Sequence, residues 1–222
     1  MKERTPPTEP ASGPASNVQS SWLTSLQSAN AYNRWILGSI EPHIRGRTLE
    51  IGCGAGTFTK HLAALADHVT AIDIDEAFIA LAKDATTANA NVTIEVADAT
   101  AAGWFGQFET AVALEVIEHI EDDRAVLETI FRALVPGGRL VLKVPAGPAI
   151  FGKIDLAVGH HRRYARRGLT EILGQAGFTA VETWHFNAVG ILGWWMNGKL
   201  LGRSMPPAGL SLFAVASKPG SD

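Results

Sequence analysis

Apolar strand-type and helix-type segments alternate through the middle of this 222-residue chain, between residues 47 and 144. Short β-branched runs such as HVTAIDI (68–74) are separated by longer segments with apolar residues at helical spacing, such as EDDRAVLETIFRALVPGG (121–138). This alternation predicts right-handed βαβ units and a parallel sheet that is buried on both faces. We therefore expect an α/β fold with a doubly wound, mostly parallel sheet and helices on both faces.

Composition favours one globular domain. Hydrophobic residues make up 46% of the chain, which is enough for a sizeable core, and the length suits a single domain over residues 21–222. Residues 1–20 are rich in Pro, Ser and Ala, so we expect a disordered tail there. The tail lacks the apolar core of a signal peptide, and no run of 18 apolar residues predicts a transmembrane helix.

Charge and cysteine content narrow the function classes. The formal net charge of −3 argues against nucleic acid as a partner. A single cysteine, Cys53, excludes an internal disulfide and favours a cytoplasmic location.

A glycine-rich turn follows the first predicted strand, in the stretch LEIGCGAG (49–56). Glycines at 52, 54 and 56 allow a tight turn and let a ligand lie against the backbone at a helix N-terminus. The spacing G-x-G-x-G differs from the dinucleotide pattern G-x-G-x-x-G. Glu50 would repel a pyrophosphate and attract an ammonium group, so the turn favours a cationic or zwitterionic ligand.

Two further acids end the next two predicted strands. Asp73 is placed to accept hydrogen bonds from ribose hydroxyls, and Asp98 to accept one from the exocyclic amine of an adenine. Acids at strand ends also serve as helix caps, and we expect Asp75 to be a cap.

With these motifs in this order, the chain resembles the class I S-adenosylmethionine-dependent methyltransferases. LEIGCGAG, AIDID, VADAT and LVPGGRLVLKVP carry the resemblance, which covers residues 32–217. It implies a Rossmann-like sheet of seven strands in the order 3-2-1-4-5-7-6, with the last strand antiparallel, and S-adenosylmethionine as cofactor. It also implies the cofactor contacts: Glu50, Gly52, Cys53, Gly54 and Gly56 at the methionine end; Asp73 and Ile74 at the ribose and adenine; Asp98 and Ala99 at the adenine edge.

The fourth predicted strand ends in ALEVIEHIEDD (113–123), where cofactor and acceptor should meet. In one interpretation Glu115 or Val116 contacts the cofactor, and His119 acts as general base because an ordinary histidine pKa near 6.5 suits that role. Glu118 is a further candidate catalytic residue. In the other, Glu115, Glu118 and His119 bind a divalent metal with a later histidine, since E-x-x-E-H resembles a segment of small-RNA 2′-O-methyltransferases and ubiquinone-pathway O-methyltransferases. A third interpretation is that Glu118 and His119 only cap the next helix. We favour the interpretation without a metal.

A basic stretch, GKIDLAVGHHRRYARRGL (152–169), follows the fifth predicted strand. His160 and Tyr164 are candidate catalytic residues because this loop can fold over the site. Its arginines suit an anionic acceptor, or form a solvated face where a helix begins. The run resembles an uncharacterised subgroup of bacterial small-molecule methyltransferases, which leaves the substrate open.

Residues 145–207 are expected to hold the substrate-side loop and lid elements. Trp194, Trp195 and Met196 suit a hydrophobic acceptor, a peripheral membrane contact, a packed helix or a homodimer face. Tyr32, Asn33 and Trp35, which precede the first strand, are candidates to cover the cofactor.

The sequence therefore predicts a methyltransferase acting on a small-molecule acceptor, with oxygen ahead of nitrogen as the methylated atom. The alternatives are a nucleotide-dependent oxidoreductase, a non-catalytic interaction protein that retains the cofactor fold, and an RNA methyltransferase that uses the arginine-rich loop.

Overall fold

The fold is described by a computed structural model over residues 30–101, 103–186 and 211–220. The predictions for the tail (1–20) and for Trp194–Met196 fall outside these residues, as does the beginning of the first helix predicted from Trp22. Among the helices described, none has the length and apolar character needed to span a bilayer.

Seven strands form one sheet in the order β3-β2-β1-β4-β5-β7-β6. They are β1 (Arg47–Ile51), β2 (His68–Asp73), β3 (Val92–Val96), β4 (Phe108–Leu114), β5 (Leu134–Pro145), β6 (Thr179–Phe186) and β7 (Ser211–Ser217). β7 runs antiparallel to both of its neighbours, and the pairs among β1 to β5 are parallel. The strand order and the antiparallel last strand confirm the predicted fold.

Six α-helices are described: α1 (Asn30–Ile40), α2 (Thr59–Leu62), α3 (Glu76–Ala85), α4 (Asp123–Ala133), α5 (Lys153–Ala157) and α6 (Arg166–Gln175). Short 3₁₀ turns occupy Glu41–His43, Ile117–His119 and Pro148–Ile150. Asp75 caps α3 by accepting a hydrogen bond from the backbone N–H of Ala77 at 2.8 Å, as predicted.

The helices cover both faces of the sheet. On one face α4 and α6 bury apolar residues such as Leu127, Ile130 and Leu173 against the strands. On the other face α1, α2 and α3 contribute Ile36, Leu62 and Ile79. Because β1 to β5 are parallel, their carboxyl ends lie at one edge of the sheet, where open α/β sheets bind their ligands.

Three local features differ from the predictions. The helix expected over residues 57–66 spans only Thr59–Leu62. β5 begins at Leu134 instead of residue 139, because Leu134 pairs with Phe108 before an irregularity in the β4–β5 register. Part of the basic stretch, expected to be loop, forms α5, which Asp155 stabilises by accepting the N–H of Gly152 at 2.9 Å.

Candidate active site

The glycine turn brings the ends of β1 and β4 into contact. Gly52 and Gly54 have φ angles of +68° and +52°, a conformation that side chains other than glycine rarely adopt. A Cβ built on Gly52 would lie 2.5 Å from Cγ2 of Val116, in the loop after β4. Any larger residue at position 52 would therefore push apart the two loops that line the edge of the sheet.

Asp73 ties the glycine turn to the end of β2. Its Oδ2 accepts the backbone N–H of Gly54 at 2.9 Å, and its Oδ1 accepts that of Asp75 at 3.0 Å. A carboxylate oxygen has two lone pairs, so both oxygens keep acceptor capacity for a ligand. The position suits the predicted ribose contact.

Glu50 is buried, with 4% of its surface exposed, and its Oε2 has no hydrogen-bond partner among the described residues. Burial raises the pKa of Glu50 to about 8; the hydroxyl of Thr59 opposes the rise and the nearby Asp73 carboxylate adds to it. A buried carboxyl oxygen that lacks a hydrogen-bond partner is costly, and Oε2 therefore indicates a missing donor. An ammonium group beside the glycine turn would supply it, so these residues fit an amino-acid-like cofactor.

The other predicted members of the glycine turn have packing roles. A Cβ on Gly56 would lie 3.1 Å from Cα of Ala82, so this glycine lets the turn pack closely on α3. The thiol of Cys53 is buried and its pKa is raised by that burial, and the Cys53 N–H donates to the Ile72 carbonyl at 2.9 Å. Cys53 is therefore a small core residue at the base of the turn.

The predicted adenine side is more open. Ile74 is 71% exposed beside Asp73, as suits an apolar side chain that lies against a ligand. Oδ1 of Asp98 accepts hydrogen bonds from the N–H and the hydroxyl of Thr100, both at 2.7 Å, and these bonds lower the pKa of Asp98. Ala99 is buried in the core, so its side chain offers the site no exposed surface.

Glu115 begins a polar cluster at the end of β4. Its φ of +56° costs roughly 1–2 kcal/mol for a residue with a Cβ. Two contacts with Lys143 offset this conformational cost. The Lys143 carbonyl accepts the Glu115 N–H at 2.8 Å, and the buried Lys143 ammonium forms an ion pair with the Glu115 carboxylate. Although burial alone would raise the pKa of Glu115, Lys143 lowers it to about 2. Glu115 is therefore a fixed anion.

Glu118 is fully buried next to Glu115. Neither of its oxygens accepts a hydrogen bond from a donor among the described residues, and its neighbour is the Glu115 carboxylate. Burial and this negative neighbour raise the pKa of Glu118 well above its usual value. Two neighbouring carboxyl groups repel each other when both are ionised, so this pair favours the protonated form of Glu118 in the absence of a cation.

His119 and His160 complete the cluster. One ligand atom from each of Glu118, His119 and His160 lies within 4.8 Å of the others, and the two imidazole rings meet edge to face at 4.7 Å. Burial, reinforced by His160, lowers the pKa of His119 to about 4. The expectation of an ordinary histidine pKa is thus wrong for His119, whose ring is neutral at neutral pH.

Tyr164, predicted to be a catalytic residue, is hydrogen-bonded to Asp123. Its hydroxyl donates to Oδ2 of Asp123 at 2.7 Å, and only 6% of the residue is exposed. Burial and this hydrogen bond raise the pKa of Tyr164. The structure therefore places Tyr164 as an anchor of the basic loop, and we do not assign it a step in the chemistry.

The arginines of the basic loop divide between interior and surface. Arg162 pairs with Asp123 at 2.8 Å and Arg163 with Asp155 at 2.7 Å, so both fix the loop. Arg167 pairs with Glu171 on the exposed face of α6, which agrees with a solvated helix start.

Sequence reasoning missed Lys143, Asp123 and Asp155 as parts of the site. A lone lysine within the apolar run RLVLKVP was a signal for Lys143. Near the same edge, the Lys143 ammonium lies 5.8 Å from the centroid of the Tyr32 ring, so α1 reaches the predicted cofactor side.

Residues 49–142 match the family model described as a methyltransferase domain. The ubiquinone biosynthesis O-methyltransferase of Xanthomonas oryzae pv. oryzae is 29% identical over 126 residues, which cover 55% of this chain and 53% of that protein. The chain thus spans about half the length of the curated relatives it matches.

Solved structures share the fold. The N-methyltransferase NodS from Bradyrhizobium japonicum, in complex with S-adenosyl-L-homocysteine, aligns with a TM-score of 0.65 and 23% identity, covering 87% of this chain and 88% of that one. The Haemonchus contortus phosphoethanolamine N-methyltransferase 2, in complex with S-adenosyl-L-methionine, aligns with a TM-score of 0.67 and 20% identity, covering 85% and 52%. The methyltransferase-domain match over residues 49–142, the similarity to the curated O-methyltransferases and the shared fold together support a class I S-adenosylmethionine-dependent methyltransferase.

Proposed function

We propose that this protein transfers a methyl group from S-adenosylmethionine to a small-molecule acceptor, with oxygen ahead of nitrogen as the methylated atom. The observation that carries the proposal is Glu50, a buried carboxyl whose Oε2 has no donor among the described residues and which lies beside a glycine turn. An amino-acid-like cofactor would supply the missing donor. The curated relatives, named as O-methyltransferases, support oxygen as the acceptor atom.

When bound, the cofactor supplies an activated methyl group on a sulfonium. Glu50 and the glycine turn would hold its amino-acid end, and Asp73 its ribose. The remaining work of the protein is to align the acceptor, exclude water and receive a proton where the acceptor is a hydroxyl. His119 and His160 lie at the edge of the sheet where that proton would leave.

A metal-assisted version of the same reaction is a second candidate. Ligand atoms of Glu118, His119 and His160 converge within 4.8 Å, and one carboxylate with two imidazoles suits a borderline divalent cation. The low basicity of His119 favours it as a ligand over a base. A cation held there would act as a Lewis acid on an acceptor oxygen.

For this second candidate, we expect dialysis against EDTA to lower turnover by roughly tenfold or more, because a Lewis acid contributes several kcal/mol to the transition state. Added Mg²⁺ or Mn²⁺ should restore it, and the Kd for S-adenosylhomocysteine should not change. Turnover that survives EDTA would exclude the metal and leave a histidine as the base.

Replacing Asp73 by alanine should raise the Kd for S-adenosylhomocysteine by about 5- to 150-fold, because a hydrogen bond to a charged group contributes roughly 1–3 kcal/mol. Isothermal titration calorimetry measures this. Asp75→Ala is the matched control: it removes the cap of α3 two residues away, and should lower stability by about 1 kcal/mol without changing the Kd. Equal Kd values for Asp73→Ala and wild type would remove Asp73 from the site.

Binding and turnover experiments separate the competing functions. Exclusive binding of NADH would support the oxidoreductase. Tight binding of S-adenosylhomocysteine with no turnover on a panel of phenols, carboxylic acids and amines would support the interaction protein. Salt-dependent binding of RNA would support an RNA methyltransferase.

A further inference from the structure

Asp155, on the short helix α5, contacts His160 from outside the cluster that the proposed chemistry uses. Asp155 is buried, with 2% of its surface exposed. Nδ1 of His160 lies 3.0 Å from its Oδ1, and the backbone N–H of His160 donates to the Asp155 carbonyl at 2.8 Å. The aspartate therefore contacts both the ring and the backbone of the histidine.

Two other donors converge on the same carboxylate. Nε of Arg163 donates to Oδ1 at 2.7 Å, and the backbone N–H of Gly152 donates to Oδ2 at 2.9 Å. A guanidinium and an amide N–H both favour the ionised carboxylate. An ionised carboxylate accepts hydrogen bonds and cannot donate one. The hydrogen between His160 and Asp155 must therefore belong to Nδ1 of the imidazole.

This arrangement determines what His160 presents to the cluster. When Nδ1 of a neutral imidazole carries the hydrogen, Nε2 carries a lone pair. The ring also packs edge to face on His119 at 4.7 Å, which restricts its rotation. With the ring fixed on one side by Asp155 and on the other by His119, Nε2 is the nitrogen left for a proton, an acceptor or a cation.

We propose that Asp155 is a positioning residue, which holds His160 as the Nδ1–H tautomer so that the Nε2 lone pair serves the cluster of Glu118 and His119. The catalytic consequence rests on the proposed methyl transfer, whereas the tautomer itself does not. The same geometry serves a base or a metal ligand, because in both cases a carboxylate on one ring nitrogen orients the other.

Long-range ¹H–¹⁵N correlation spectra test the tautomer directly, on the full chain treated with EDTA at a pH where the ring is neutral. The resonances of His160 are assigned from their loss in His160→Gln. In wild type we expect Nδ1–H as the major form. In Asp155→Asn, the NH₂ group opposes the Gly152 N–H in one orientation, and in the other it opposes Nε of Arg163 and donates towards His160. A neutral amide oxygen is also a weaker acceptor than a carboxylate. We therefore expect the Nε2–H form, which the histidine side chain prefers in water, to gain population at the expense of Nδ1–H.

Asp123→Asn is the matched control. Asp123 is also a buried carboxylate that anchors this loop, through Tyr164 and Arg162, but it has no contact with His160 among the contacts described. Asp123→Asn should keep the wild-type tautomer, even if the midpoint of thermal unfolding falls. An Nε2–H majority in wild type, or tautomer populations in Asp155→Asn equal to those of wild type, would overturn the proposal; the wild-type spectrum decides the question if Asp155→Asn does not fold.

Kinetics with a reactive acceptor give the functional result. Asp155→Asn should lower kcat by roughly tenfold or more, with the Kd for S-adenosylhomocysteine unchanged. Unchanged kcat together with an altered tautomer would contradict the catalytic role of the positioning. Absence of S-adenosylhomocysteine binding by wild type would instead contradict the proposed function and leave the tautomer result intact.

Discussion

Replacing His119 by alanine should lower kcat by roughly 10²- to 10⁴-fold and change the Kd for S-adenosylhomocysteine by no more than about twofold. The imidazole is neutral at neutral pH and lies with Glu118 and His160 beyond the end of β4. Its loss removes a base or a metal ligand where the acceptor would lie. Steady-state rates with a reactive phenol or amine, and calorimetry with S-adenosylhomocysteine, measure the two quantities.

His161→Ala is the control for this result. His161 is exposed and follows His160, and its backbone N–H donates to the Glu118 carbonyl at 2.8 Å, a bond that the alanine variant keeps. We expect its kcat to stay near that of wild type. If His119→Ala retains full activity, His119 is a structural residue. If both variants lose activity equally, the effect belongs to the loop and not to the imidazole of His119.

The fold was predictable because its signals are local. Strands and helices differ in the period of their apolar residues, which predicted the alternation of elements. The strand order that the sheet adopts was implied by the family resemblance that the motifs carry. The contact between the glycine turn and Asp73 was also predictable, because parallel strands end at a common edge and the residues that follow them meet there.

The partners of the site residues were not predictable, because they are distant in sequence. Asp123 lies 41 residues before Tyr164, and only the fold reveals that it binds the tyrosine hydroxyl. Lys143 meets Glu115 because residue 143 pairs with Leu114 across β4 and β5, a register that periodicity alone does not specify. The low pKa of His119 follows from burial by a loop whose path the sequence left open.

Glu50→Gln should stabilise the protein in alkaline solution and weaken cofactor binding. Burial raises the pKa of Glu50 to about 8 in the folded chain, against about 4.5 when unfolded. The folded state thus binds more protons between these values, and the stability contributed by Glu50 is complete below pH 4.5 and is lost as the pH rises to about 8. The free energy of unfolding should fall by roughly 1.4 kcal/mol per pH unit across that window.

Urea unfolding at pH 5 and pH 9 measures this effect. Because glutamine resembles the protonated carboxyl, Glu50→Gln should match wild type near pH 5 and exceed it at pH 9. Glu109→Gln is a control of opposite sign: burial alone would raise the pKa of Glu109, but its bonds to Arg47 lower it, so this variant should be less stable than wild type at pH 9.

Glu50→Gln also tests the role of this residue in cofactor binding. A glutamine at position 50 keeps the shape of the protonated carboxyl but cannot become the anion that an incoming ammonium requires, so the Kd for S-adenosylhomocysteine at pH 8 should rise by roughly tenfold or more. A gain in stability together with a loss of affinity is typical of a residue kept for binding at the expense of the fold. Equal stability of Glu50→Gln and wild type at pH 9 would mean that folding does not raise the pKa of Glu50, and the buried carboxyl would then no longer indicate an ammonium site.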